Sequence, residues 1–196
     1  MLLALIAATF HFANAAMLPL VGQKLALAHP GAESAIMSAC IVIAHAVSIP
    51  SAILAGRKAE RWGLRVLLAA VCLALVVRGV VFAVSENLVV LVAAQVLDGI
   101  AAGIWDALVP LVIADLVVGS GRYSTSRGLL GTVQGIGGSI SNGAAGTVVV
   151  LGGYGAAFGM LAAVAAGACA LVALLPDPDA VRIAREADLR RRAVGS

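Results

Sequence analysis

A chain of 196 residues that is 62% hydrophobic and only 12% charged cannot clothe a water-soluble globule, which would carry roughly 25% charge. Its formal charge of +3 and pI near 9.1 do not point to nucleic acid. The basic residues lie in short clusters between apolar runs, with no aromatic residues interleaved to stack bases. With a mean hydropathy of +1.06, the solvent this chain is built for is lipid.

A bilayer core of ~30 Å takes about 20 apolar residues per helix. Six stretches qualify: 2–21, 35–55, 64–84, 88–116, 128–151 and 154–175. The first is long enough to stay in the membrane, so no cleaved leader is required. It carries His11, Asn14 and Pro19. Between the second and third spans lies Gly56-Arg57-Lys58-Ala59-Glu60-Arg61-Trp62-Gly63-Leu64-Arg65, which reads as a tight hairpin with Gly56 and Gly63 as its turn residues. The third span holds Arg78, and only Ser85-Glu86-Asn87 joins it to the fourth. The fourth, longer than a crossing needs, holds Asp98, Trp105 and Asp106. The fifth shows small residues at every fourth position, Gly131, Gly135, Ser139, Gly143 and Thr147, on one helical face where another helix can come close. The three cysteines, Cys40, Cys72 and Cys169, all lie in apolar spans, which suggests neither disulfides nor a metal cluster. No cofactor is implied.

Basic residues set the expected orientation. Arg57, Lys58, Arg61, Arg65, Arg122, Arg127, Arg182, Arg185, Arg190, Arg191 and Arg192 fall on one side, Lys24 alone falls on the other, and Arg78 lies within a span. Both termini are therefore expected in the cytoplasm of a bacterial inner membrane. The division is a membrane domain over 1–176 and a polar, Arg-rich tail over 177–196.

Ala16-Met17-Leu18-Pro19-Leu20-Val21 parallels Ala107-Leu108-Val109-Pro110-Leu111-Val112 at an offset of 91 residues, and the same offset aligns Ser48-Ile49 with Ser139-Ile140. Three crossings end on the opposite face, so a repeated three-helix unit must be inverted in the membrane. The expected fold is all-α and integral to the membrane, with six transmembrane helices as a 3+3 inverted repeat.

The spacing of Gly56, Glu60, Arg61, Gly63 and Arg65 resembles the signature loop of the major facilitator superfamily of transporters, with Glu60 where that family usually has Asp. The run 11–20 is similar to the family's seventh helix, Gln95-Val96-Leu97-Asp98-Gly99-Ile100 to the start of its tenth, and Gly121-Arg122-Tyr123 with 128–146 to its eleventh. The family has twelve helices in two halves. This chain matches the second half, as a truncated frame or a fragment would, and the partner implied is the missing N-terminal half or a second copy.

The resemblance implies a secondary active carrier of a small solute, expected to be proton-coupled and of efflux type, with the first and fourth spans lining the cavity. Asp106 is the expected functional carboxylate, with His11, Asn14 and Trp105 beside it on the substrate or proton pathway. Each charge at membrane depth costs on the order of 3 kcal/mol, so Arg78 and Asp98, at similar heights around the short turn, are expected to pair. A lone histidine in an apolar helix is more often a packing residue, and His45 is read so. An intramembrane serine protease is the competing enzyme. Gly137-Gly138-Ser139-Ile140 lacks the closing glycine of its motif, and no histidine follows, so the chain is not read as an enzyme. Gly135-Ile136-Gly137-Gly138-Ser139 lacks the lysine of a phosphate loop. The alternative to transport is a six-helix membrane scaffold or regulatory half-protein.

Overall fold

The computed structural model describes residues 2–119 and 121–175. The expected tail over 177–196 lies outside them. The described residues are helical almost throughout: α1 (Leu2–Ala15), α2 (Met17–Ala28), α3 (Glu33–Trp62), α4 (Leu64–Val84), α5 (Leu88–Ala93), α6 (Gln95–Leu116) and α7 (Tyr123–Ala173). They form five helical stretches long and apolar enough to cross a membrane: Leu2–Ala28, Glu33–Ala59, Leu64–Val84, Leu88–Ala114 and Tyr123–Ala173.

The last stretch spans 51 residues, far more than one crossing takes. It leaves helical geometry at Gly153, with φ 79° and ψ 177°. Where the sequence predicts two spans with a short link, a single kink interrupts the helix at this glycine, which adopts a positive φ without steric cost.

Other boundaries also differ from expectation. The first span breaks at Ala16 into α1 and α2. Pro19 has no N–H for the Ala15 carbonyl, and its ring crowds that carbonyl. The fourth is divided at Ala94, between α5 and α6. Gly56 is not a turn residue, because α3 runs on to Trp62 before Gly63 (φ 79°) closes it. Arg, Lys, Ala and Glu all favour helix, so the basic strip prolongs α3 instead of looping.

Directions follow from paired contacts. Asn14 meets Arg78 and Lys24 meets Ser85, so α1–α2 runs parallel to α4. Phe82 meets Phe158, and Arg65 reaches Val172, so 154–173 runs antiparallel to α4. α3 and α6 are parallel, and a Cβ on Gly99 would strike the Ala44 carbonyl and sit 2.7 Å from Val47 Cβ. One on Gly103 would strike the Ser48 carbonyl and sit 2.8 Å from Ser51 Cβ. A glycine pair four residues apart thus lets two backbones touch. On α1, the Ala8 carbonyl comes nearly as close to Gly137, 2.6 Å from where its Cβ would be.

The closest glycine contact of 123–152 therefore lies on Gly137, with Ser141 and Ala145 buried on the same side. The stripe Gly131, Gly135, Ser139, Gly143 and Thr147 is exposed, and its three glycines have open space beside them. Packing within this unit does not explain that stripe.

Two apolar clusters fill the bundle. One joins Ile6, Phe10, Leu68, Leu75, Trp105, Leu108, Leu130 and Ala165 towards the Gly63 end. The other joins Met17, Leu20, Phe82, Leu91, Phe158 and Leu161 towards the opposite end.

Candidate functional site

Between the two clusters lies Arg78, whose side chain has no exposed surface. A guanidinium left unpaired at that depth would be costly, and three acceptors from two neighbouring helices surround it. Nη1 donates to Asn14 Oδ1 at 2.8 Å and to Asp98 Oδ1 at 2.7 Å. Nη2 donates to Gln95 Oε1 at 2.9 Å. Gln95 and Asp98 are three residues apart on α6 and so share a face. The Phe82 ring centre lies 5.1 Å from the guanidinium carbon, within cation–π range. Arg78 Nε and Gln95 Nε2 are buried without a partner, and the Cys40 thiol of α3 stands within electrostatic reach of both side chains. This knot ties α1, α4 and α6 at one height.

Asp106 has different surroundings. It is exposed and forms neither a hydrogen bond nor an ion pair among the described residues. Trp105 beside it turns inward, 3% exposed, and stacks on Phe10 at 4.4 Å between ring centres and 10° between planes. His11 meets Trp105 edge-on at 5.4 Å and lies within electrostatic reach of Asp106. His11 Nδ1 is 3.0 Å from the Ala7 carbonyl. A carbonyl only accepts, so Nδ1 carries the proton and Nε2 of the neutral ring is an acceptor. Pro110 lies in the same helix and offers no N–H to the Asp106 carbonyl, four residues earlier.

The structure therefore gathers His11, Trp105 and Asp106 on facing sides of α1 and α6. The recorded hydrogen bond of Asn14 goes to Arg78 instead, so one of the four expected pathway residues belongs to the knot. His45 is exposed on α3, its Nδ1 2.9 Å from the Ile41 carbonyl. Sequence reasoning did not single out Phe10, or Gln95 as a partner of Arg78. Glutamine lacks the charge that makes a residue conspicuous in an apolar span.

Two cations cap helix ends. Arg65 Nε donates to the Val172 carbonyl at 3.4 Å, and its Nη2 donates to that of Ala173. In this way the last residue of the 56–65 pattern holds the end of α7. Arg61 lies in the last turn of α3, while the side chain of Glu60 lies outside the description. At the opposite end, Lys24 Nζ donates to the Phe82 and Ser85 carbonyls at 3.3 and 2.9 Å and pairs with Glu86 at 2.9 Å. Both exploit the free carbonyls and negative dipole of a helix C-terminus.

A family model for the Major Facilitator Superfamily matches residues 1–195. The chain belongs to the major facilitator superfamily. Two curated sequences, from two strains of Mycobacterium tuberculosis and each described as an uncharacterized MFS-type transporter, are 45% identical to it over 184 residues. That alignment takes in 94% of this chain and 43% of each relative, so the chain spans less than half their length. As a member of the superfamily it is a multi-pass protein of the membrane, in a family of solute transporters rather than enzymes.

Proposed function

We propose that this superfamily chain is the C-terminal half of a secondary active, proton-coupled carrier of efflux type for a small solute. In this reading it crosses the membrane six times, with both termini cytoplasmic. The five hydrophobic stretches become six crossings when the longest is divided at Gly153. The packing supports a 3+3 inverted repeat. An exchange of the two three-helix units carries the parallel pair of α1 and 123–152 onto the parallel pair of α6 and α3. It also maps the antiparallel pair of α4 and 154–173 onto itself. The 91-residue offset places Ala8, pressed on Gly137, opposite Gly99, pressed on Ala44 and Val47. The similarity of 56–65 to the signature loop, and the share of the relatives left unmatched, support a missing N-terminal half, or a second copy, as partner.

One observation carries the reading: a carboxylate on a membrane-spanning helix that no side chain among the described residues neutralises. An isolated charge at membrane depth is tolerated where it lines a watered cavity, and transporter sites lie near the midplane between repeats. Asp106 would load and release the proton as water access alternates, with His11 Nε2 accepting its hydrogen bond in the protonated state. Trp105 holds the aromatic wall. The exposed stripe 131–147 would face the other half.

The test is Asp106→Asn in a carrier reconstituted with both halves, read as solute flux under an imposed proton gradient. The protein is expected to fold and insert while gradient-driven flux disappears. Unchanged flux with unchanged pH dependence removes Asp106 from the mechanism.

A further inference from the structure

We propose that the Asp106 corner receives its solute as a protonated amine, carried on an apolar or aromatic body. This deepens the reading of Asp106 as the functional carboxylate and rests on it.

Positive charge is withheld from the exposed surface at this height. Arg78 is fully buried, with both of its Nη atoms donating to Asn14, Asp98 and Gln95. Lys24 is held on the last carbonyls of α4 and Arg65 on those of α7. Arg57, Lys58 and Arg61 lie in the final two turns of α3. Arg122 and Arg127 lie at the start of α7, so among these described residues an anionic solute at the level of Asp106 would meet a carboxylate and no cation beside it. A charge near a carboxylate is attracted or repelled according to its sign, so this corner selects the sign of the solute's charge.

The hydrogen-bonding groups point the same way. The Asp106 carboxylate is unpaired, the Asp106 carbonyl is released by Pro110, and His11 Nε2 is left as an acceptor by the bond its Nδ1 makes. Three acceptors thus gather around one residue. Among the described residues the indole N–H of Trp105 carries no hydrogen bond, and it is a donor that this corner leaves free. A ligand that matches this set brings donors and positive charge together, as an ammonium group does. The partly exposed His11 ring, braced edge-on against the Phe10–Trp105 stack, supplies an aromatic flank for the rest of the molecule.

The chain contains two tryptophans, so Trp62→Phe leaves Trp105 as a lone fluorescent reporter beside Asp106. The full chain, purified into lipid nanodiscs, is titrated at neutral pH with phenethylammonium and with hydrocinnamate. These ions share a phenylethyl body and differ in charge sign, and empty nanodiscs serve as the blank. Phenethylammonium is expected to shift Trp105 emission with a Kd about tenfold below that of hydrocinnamate, and Asp106→Asn should bring the ratio to about one. Equal or tighter binding of hydrocinnamate, no response to either ion, or an amine preference that survives Asp106→Asn would overturn the inference. The two readings fail separately. If Asp106→Asn abolishes proton-driven flux but keeps the amine preference, the substrate class falls and the proton role stands. If it removes the preference but leaves proton coupling intact, the proton role falls and the substrate class stands.

Discussion

Asp98 and Asp106 sit two turns apart on α6 and have opposite fates. Asp98 is 14% exposed and lies 2.7 Å from a guanidinium with no exposed surface. Asp106 is exposed, with no bonded partner among the described residues. The cause is angular position: the spacing from 98 to 106 is about 2.2 turns at 3.6 residues per turn, so the two side chains leave the helix about 80° apart. Asp98 points at α4 and locks three helices together. Asp106 points out of the packed unit and contributes nothing to it. One carboxylate serves the fold, and the other is the one proposed to meet a solute or a proton.

The largest effect is expected at the knot. Arg78→Met would strand Asp98, Gln95 and Asn14 together and destabilise the protein by about 3–5 kcal/mol, read as a shift in detergent-denaturant unfolding. Asp98→Ala should restore part of that loss when added to Arg78→Met; strict additivity would show that the pair is not coupled.

A middle effect belongs to the close approach of α3 and α6. Gly103→Ala places a methyl group on the Ser48 carbonyl and against Ser51 Cβ, 2.8 Å away. Backbone does not yield as a flexible side chain does, so a loss of about 1–3 kcal/mol is expected. Gly131→Ala on the open stripe supplies the control, and equal losses at both would contradict the packing described. The smallest effect is expected at Asp106→Asn, within about 0.5 kcal/mol of the parent. A large stability change there would mean that Asp106 is structural after all, and the contrast with Asp98 would collapse.

Much of the bundle could be read from the sequence, because lipid forces every span into helix and marks it by hydropathy. The heights of Arg78 and Asp98 follow from counting residues away from the Ser85–Asn87 turn. Direction was harder to read than height. That Asn14 and Gln95 also reach Arg78, while Asp106 does not, depends on how α1, α4 and α6 are rotated about their axes. Apolar residues on nearly every face of these helices leave that rotation unmarked. Glycine misled for the same reason. The regular stripe at 131–147 was conspicuous, while the contacts on Gly99, Gly103 and Gly137 showed only once the helices were in place. Gly56 looked like punctuation but is carried along in a helix that its charged neighbours favour.

The break at Ala16 has a mechanical consequence. Both pieces of the broken span are fastened to one strut, α4: the lower piece through Asn14 on Arg78, the upper through Lys24 on the carbonyls of Phe82 and Ser85. The lower fastening is buried and shared with α6. The upper is a single ammonium whose acidic partner, Glu86, is 82% exposed. Load on this joint is therefore borne unequally. Met17, Leu20 and Leu25 also pack α2 beside Phe82 and Phe158. Opening the Lys24 clasp would therefore leave α2 seated on α4, while the buried lower fastening keeps the piece carrying His11 in place.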